Sequence, residues 1–160
     1  MLRRAVLLLP ILFSIPSANA LDANYENCLK KTSNRGDVDG FRGCVISHMN
    51  KGNTNRVLPN GLILKNISHS NGFLIKNLKI EGIEYKKGDP DSERAKASFV
   101  ESVESINERA IQVHAYCVTL RKEYRKIFND GAMIRYYDQR DRVIYTSYVK
   151  SRECNSQTQK

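Results

Sequence analysis

The sequence predicts an exported α+β domain: an antiparallel sheet of two hairpins, a long helix packed on it, and an N-terminal disulfide-stapled helix pair. Three observations lead there: a short apolar leader ending in small residues, four cysteines, and a hydrophobic period that switches between helical and strand spacing along the chain.

The leader has Arg3 and Arg4, an apolar run from Ala5 to Pro16, and Ala18-Asn19-Ala20, the small-residue pattern a signal peptidase cuts. Residues 1–20 are therefore expected to be a signal peptide and residues 21–160 a single exported domain. The run is shorter than the ~20 apolar residues a membrane-spanning helix needs. Leu21 follows the cut and Cys28 comes too late to carry a lipid, so no anchor is expected. The pattern is bacterial in style, which points to a periplasmic or extracellular product. Such compartments are oxidising, so Cys28, Cys44, Cys117 and Cys154 are expected to pair.

The formal net charge is +9, and loss of Arg3 and Arg4 brings it to +7. That surplus favours anionic partners. It is spread along the chain, with no basic tail of the kind that marks nucleic-acid binding. An exported or envelope protein with an acidic surface is the expected partner, ahead of nucleic acid.

Two short helices fit residues 21–50. Asp22 can cap the first, which carries Tyr25, Cys28 and Leu29 on one face. Asp37 can cap the second, in which Val38, Phe41, Cys44, Val45 and His48 recur at three and four. Leu62 to Ile67 and Phe73 to Ile80 read as strands, and Asn71-Gly72 between them is a hairpin signal because both residues tolerate positive φ. The second strand is drawn as far as Tyr85. Ser92 can cap a long helix whose apolar stripe is Ala95, Phe99, Val103, Ile106, Ala110 and Val113, with Glu101, Glu104 and Glu108 facing solvent. The β-branched and aromatic residues from Ile111 to Thr119 predict a kink, and a shorter helix then ends at Asn129-Asp130-Gly131. Ala132 to Tyr137 and Val143 to Val149 form the second hairpin around Asp138-Gln139-Arg140-Asp141.

Four cysteines allow three connectivities. Sequence order favours Cys28 with Cys44 and Cys117 with Cys154, because each pair then lies within one local unit. On the chain-entropy account the bonds are worth about 3 and about 4 kcal/mol.

Between Leu58 and Cys154 the parts follow a recognisable order. Leu58-Pro59 precedes a strand hairpin, a helix leads to Cys117, and Leu120-Arg121 through Phe128-Asn129-Asp130-Gly131 ends a short helix. Ile134-Arg135-Tyr136-Tyr137-Asp138 and Val143-Ile144-Tyr145 then form a last hairpin before Cys154. This half of the chain resembles the quorum-sensing-regulated virulence factors, a family of small exported bacterial proteins. The resemblance implies an exported α+β domain of unassigned activity and links the chain to virulence by analogy. It does not extend to the N-terminal helix pair.

Candidate chemistry is sparse. His48, His69 and His114 sit in no metal or protease motif. His114 lies one helical turn before Cys117, but an oxidised Cys117 is no nucleophile. Two cysteines with His48 and His114 could form a zinc site, yet no C-x-x-C spacing supports it, and structural disulfides explain the cysteines. Arg35-Gly36-Asp37 spells an adhesion tripeptide, but Asp37 is better explained as a helix cap. No catalytic residue, metal ligand or cofactor is assigned.

The last hairpin is the most suggestive surface, because tyrosines interleave with cations there. Arg135, Tyr137, Arg140, Arg142, Tyr145 and Tyr148 are the expected partner-binding residues, tyrosine and arginine being the side chains enriched at interface hot spots. The expected function is that of a non-enzymatic exported binding or accessory protein, with possible virulence association. The alternatives are a small secreted hydrolase or nuclease-like toxin acting on an anionic substrate, or an inhibitor of a secreted enzyme.

Overall fold

The computed structural model describes residues 18–32, 36–120 and 122–156. Residues 1–17 of the expected export signal, residues 33–35, Arg121 and residues 157–160 lie outside the described residues.

Helices α1 (Ala18–Thr32) and α2 (Val38–Asn50) form the N-terminal pair. Asp37 caps α2 as expected, its carboxylate accepting from the Gly40 amide at 2.8 Å. Phe41, Val45, Ile46 and Met49 give α2 its buried face. Cys28 and Cys44 join the pair with a Cα separation of 5.7 Å, and the Tyr25 and Phe41 rings meet edge to face. The expected cut after Ala20 falls in the first turn of α1.

Strands β1 (Arg56–Val57), β2 (Ile63–Ser70), β3 (Phe73–Lys79), β4 (Gly131–Tyr137) and β5 (Val143–Lys150) form one sheet in sequence order. Asn71 (φ 46°) and Gly72 (φ 76°) make the two-residue hairpin turn between β2 and β3 that the sequence signalled. Two expectations need correction. The sheet is mixed rather than antiparallel, because β3 pairs with β4 in parallel, Leu78 beside Tyr136. Two parallel neighbours cannot be joined by a tight turn, and the 51 residues between them hold the remaining helices as a crossover. Nor does β3 run to Tyr85; it ends at Lys79, ahead of a turn in which Gly82 has φ 75°.

The predicted long helix is two helices, α3 (Pro90–Val103) and α4 (Ile106–His114). Asp89, not Ser92, caps α3. Pro90 is preset for the first helical position, and the Asp89 side chain accepts from the Ser92 amide at 2.9 Å. Ser105 starts α4 anew, its hydroxyl accepting from the Glu108 amide. This break rotates the second half of the predicted stripe. Val103 and Val113 are buried, but Ile106 is 88% exposed, while Glu108 and Gln112 turn inward. The kink expected between Ile111 and Thr119 is a π-helical turn, Ala115–Thr119, closed by the Leu120 amide on the Ala115 carbonyl. It buries Tyr116 and Cys117, and Cys117 bonds to Cys154 in the terminal 3-10 segment Ser151–Ser156. Helix α5 (Lys122–Ile127) leads back to β4.

Two apolar clusters lie where the helices meet the sheet, and Ile75 is buried on the opposite face. One cluster joins Phe41, Val45, Tyr116, Leu120 and Phe128 to Leu74, Ala132 and Val149. A second joins Leu58, Leu62 and Val103 to Leu64, Leu78 and Tyr136. At the β2 edge the Asn50 side chain acts as a short strand: its amide donates to the Ile67 carbonyl and its oxygen accepts from the Ile67 amide, both at 2.7 Å.

Candidate functional site

Strand alternation divides the sheet into two faces. The inner rows are His69, Leu74, Ala132 and Val149; Ile67, Lys76, Ile134 and Ser147; and Leu64, Leu78, Tyr136 and Tyr145. The helices meet these rows: Phe99 packs edge to face on Tyr136 at 5.1 Å, and Ser147 donates to Gln112 at 2.8 Å.

The outer rows are Ser70, Phe73, Gly131 and Lys150; Ser68, Ile75, Met133 and Tyr148; and Asn66, Asn77, Arg135 and Thr146, with Lys79 beside Tyr137 beyond them. No described helix contributes to this face in either core cluster. Gly131 has no side chain, so the Phe73 ring reaches across it to Tyr148, edge to face at 6.2 Å. Tyr148 is 46% exposed. Behind this aromatic pair lies a polar ladder. Asn77 donates to Asn66 at 2.6 Å and to Ser68 at 3.1 Å, and the Tyr137 hydroxyl donates to Asn77 at 3.1 Å. These bonds satisfy the buried amide and hold the face rigid. The Lys65 ammonium sits over the Tyr137 ring at 4.5 Å and pairs with Asp141, as does Lys79. The outer rows hold three cations, Lys79, Arg135 and Lys150, and no carboxylate. Arg135 makes no side-chain hydrogen bond or ion pair among the described residues.

The six residues expected to bind a partner are thereby divided. Arg135, Tyr137 and Tyr148 share the outer face. Tyr145 is on the helix side, its hydroxyl donating to Glu104 at 2.7 Å; burial, then this bond, pushes its pKa up to about 12. Arg140 and Arg142 lie at the hairpin turn, and both are paired, Arg140 with Glu84 at 2.9 Å and Arg142 with Asp138 at 2.6 Å. Asp138 has no exposed side-chain surface. Burial alone would raise its pKa. The Arg142 amide and guanidinium outweigh that, together with the Tyr85 and Arg140 amides, and hold it below the usual carboxylate range. Phe73, Asn77 and Met133 belong to the outer face but were missed, since nothing local in the sequence places β3 beside β4.

The three glutamates expected to share a solvated face also separate. Glu101 is exposed, and Glu104 accepts from Tyr145 and Ser147. Glu108 is buried and lines, with Lys76 and Gln112, an apolar cavity under α4 that has room for about one water. Burial there lowers Lys76 to about 8 and raises Glu108. His114 is exposed, and Cys117 is disulfide-bonded. The zinc arrangement weighed from sequence, two cysteines with both His48 and His114, is not formed; His48 alone joins Cys28 and Cys44.

No described helix is long and apolar enough to cross a membrane. Fold and face together define a small disulfide-stapled α+β domain whose outer sheet rows are cationic and aromatic at their margins, with Ile75 and Asn77 buried between them. Comparison with known families, with curated proteins and with solved structures gives no match.

Proposed function

We propose that this chain is a non-enzymatic exported binding or accessory protein of the bacterial envelope or secretome, and that it holds an acidic protein partner on the outer face of its sheet. The observation that carries the reading is the composition of that face: Phe73 and Tyr148 meeting edge to face at its rim, Arg135 with no side-chain partner among the described residues, and no carboxylate in its rows. Exposed Tyr148, with Phe73 and Arg135 half-buried beside it, supplies contact area at little entropic cost, and the surplus of cations steers an acidic surface toward it. Export rests on the leader in residues 1–20 and on two disulfides, which persist in oxidising compartments. The family resemblance contributes only an order of elements, and a virulence role is an analogy from it.

The test is capture of partners by the mature protein from envelope and culture-supernatant fractions, repeated with Arg135→Glu and Tyr148→Ala. Arg140 and Arg142 are poorer probes, because Arg142 neutralises a buried carboxylate. Loss of about 2 kcal/mol or more of binding per variant, with an unchanged melt, is the expected result for hot-spot residues. Unchanged affinity in both folded variants would remove the outer face from the interface. Turnover of an anionic polymer by pure protein would favour the hydrolase alternative.

A further inference from the structure

The ligand-forming atoms of Cys28, Cys44 and His48 all lie within 4.8 Å of one another, a grouping that no other set of His, Cys, Asp or Glu side chains repeats among the described residues. Cys44 and His48 stand one turn apart on α2, so both project from the same face, and Cys28 comes from α1 opposite them. We propose that this is a redox-gated metal site: while the disulfide is intact it staples the helices, and once reduced it binds a single thiophilic divalent cation through two thiolates and one imidazole.

The dimensions suit that role. A tetrahedral zinc site with Zn–S near ~2.3 Å and Zn–N near ~2.0 Å sets its ligand atoms about 3.5–4 Å apart, so side-chain rotation suffices and the helices need not move. Cys28 is fully buried beside Phe41 and Val45, whereas Cys44 and His48 are half exposed, which gives the cation a dry floor and an open approach. Three protein ligands leave the fourth position to water or an exogenous group. The Cys117–Cys154 bond lacks this equipment. His114, although one turn from Cys117, is exposed and joins no ligand group there.

The gating step balances with a dithiol as reductant. The dithiol gives two electrons and two protons to the Cys28–Cys44 bond and itself becomes a disulfide; the cation then displaces both thiol protons and binds two thiolates and neutral His48.

Cobalt(II) added to the reduced mature protein is the probe, read by its thiolate-to-metal absorption and tetrahedral d–d bands, with zinc competing. The expected result is one equivalent bound in reduced protein, none in oxidised protein, and the helix content retained with metal. His48→Gln keeps a polar side chain of similar length and should lower affinity by more than about tenfold, since loss even of a supporting partner costs about 10- to 100-fold. Under the same reduction Cys28→Ser/Cys44→Ser should abolish the tetrahedral thiolate band, because no imidazole joins Cys117 and Cys154 in a ligand group among the described residues. Absence of the band in reduced protein would overturn the proposal. So would its persistence in the double serine variant, unchanged affinity in His48→Gln, or a reduced chain that unfolds and does not refold on adding zinc.

Discussion

Asp138→Asn should be among the most damaging isosteric changes in this protein. Oδ1 of Asp138 accepts from the Arg140 and Arg142 amides, both at 2.9 Å; Oδ2 accepts from the Tyr85 amide at 3.1 Å and from Arg142 Nε at 2.9 Å. Asparagine can keep the first pair through its one oxygen. Its NH2 must then face the Tyr85 amide and the Arg142 guanidinium, donor against donor, in a place without solvent. Two charge-assisted bonds at about 1.5–3 kcal/mol each are lost, so the expected cost is about 3–6 kcal/mol. That is a large share of the ~5–15 kcal/mol that holds a domain of this size together. Urea unfolding at pH 7, followed by circular dichroism, measures it. The acid limb gives a second reading. Because the folded carboxyl titrates below its unfolded value of ~3.9, its stabilisation is complete above that pH and lost as pH falls through the folded value. Wild type should therefore lose more stability on acidification than the variant, and the gap between them should narrow. A cost under about 1 kcal/mol at pH 7, or parallel acid limbs, would refute the assignment of Asp138 as the charged centre of this turn.

Val103→Ala should cost about 2–3 kcal/mol, because its side chain is 2% exposed among Leu64, Leu78 and Tyr136, whereas Ile106→Ala should change the unfolding midpoint by less than about 0.5 kcal/mol. Cys117→Ser should lower stability by about 2–5 kcal/mol, and non-reducing peptide mapping of the parent should give Cys28 with Cys44 and Cys117 with Cys154. Intact mass of the exported protein should correspond to cleavage after Ala20.

What the sequence reveals here is local. Asn71-Gly72 fixes a hairpin because two consecutive positive φ values need those residues, and Asp37 caps α2 because a carboxylate three residues before Gly40 can reach its amide. The cysteine pairing follows from proximity along the chain. The break before α4 was also legible: Ser105 and Glu108 have capping-box spacing, a signal overridden by the apolar period running through it. Ile106 satisfied that period and is nonetheless in solvent. The parallel contact of β3 with β4 had no local signature, since a strand's own pattern does not name its neighbour. With it went the outer face: the Tyr and Arg density from Arg135 to Arg152 was read as one surface, whereas alternation sends Tyr136 and Tyr145 under the helices and leaves Arg135, Tyr137 and Tyr148 outside. Phe73 and Asn77, which complete that face, are contributed from 58 positions away.

That separation also dictates the order of assembly. Each residue pair of the central parallel ladder bridges the same 58 positions, and the helices it encloses have only the inner rows of that ladder to pack on. Closing so large a loop precedes its reward, so the helices within it gain the full sheet to pack on only once residues 131–137 are present. Cys154, the partner of Cys117, arrives later still. A nascent chain ending before β4 can hold the α1–α2 pair and the first hairpin, but it lacks the ladder on which the enclosed helices pack.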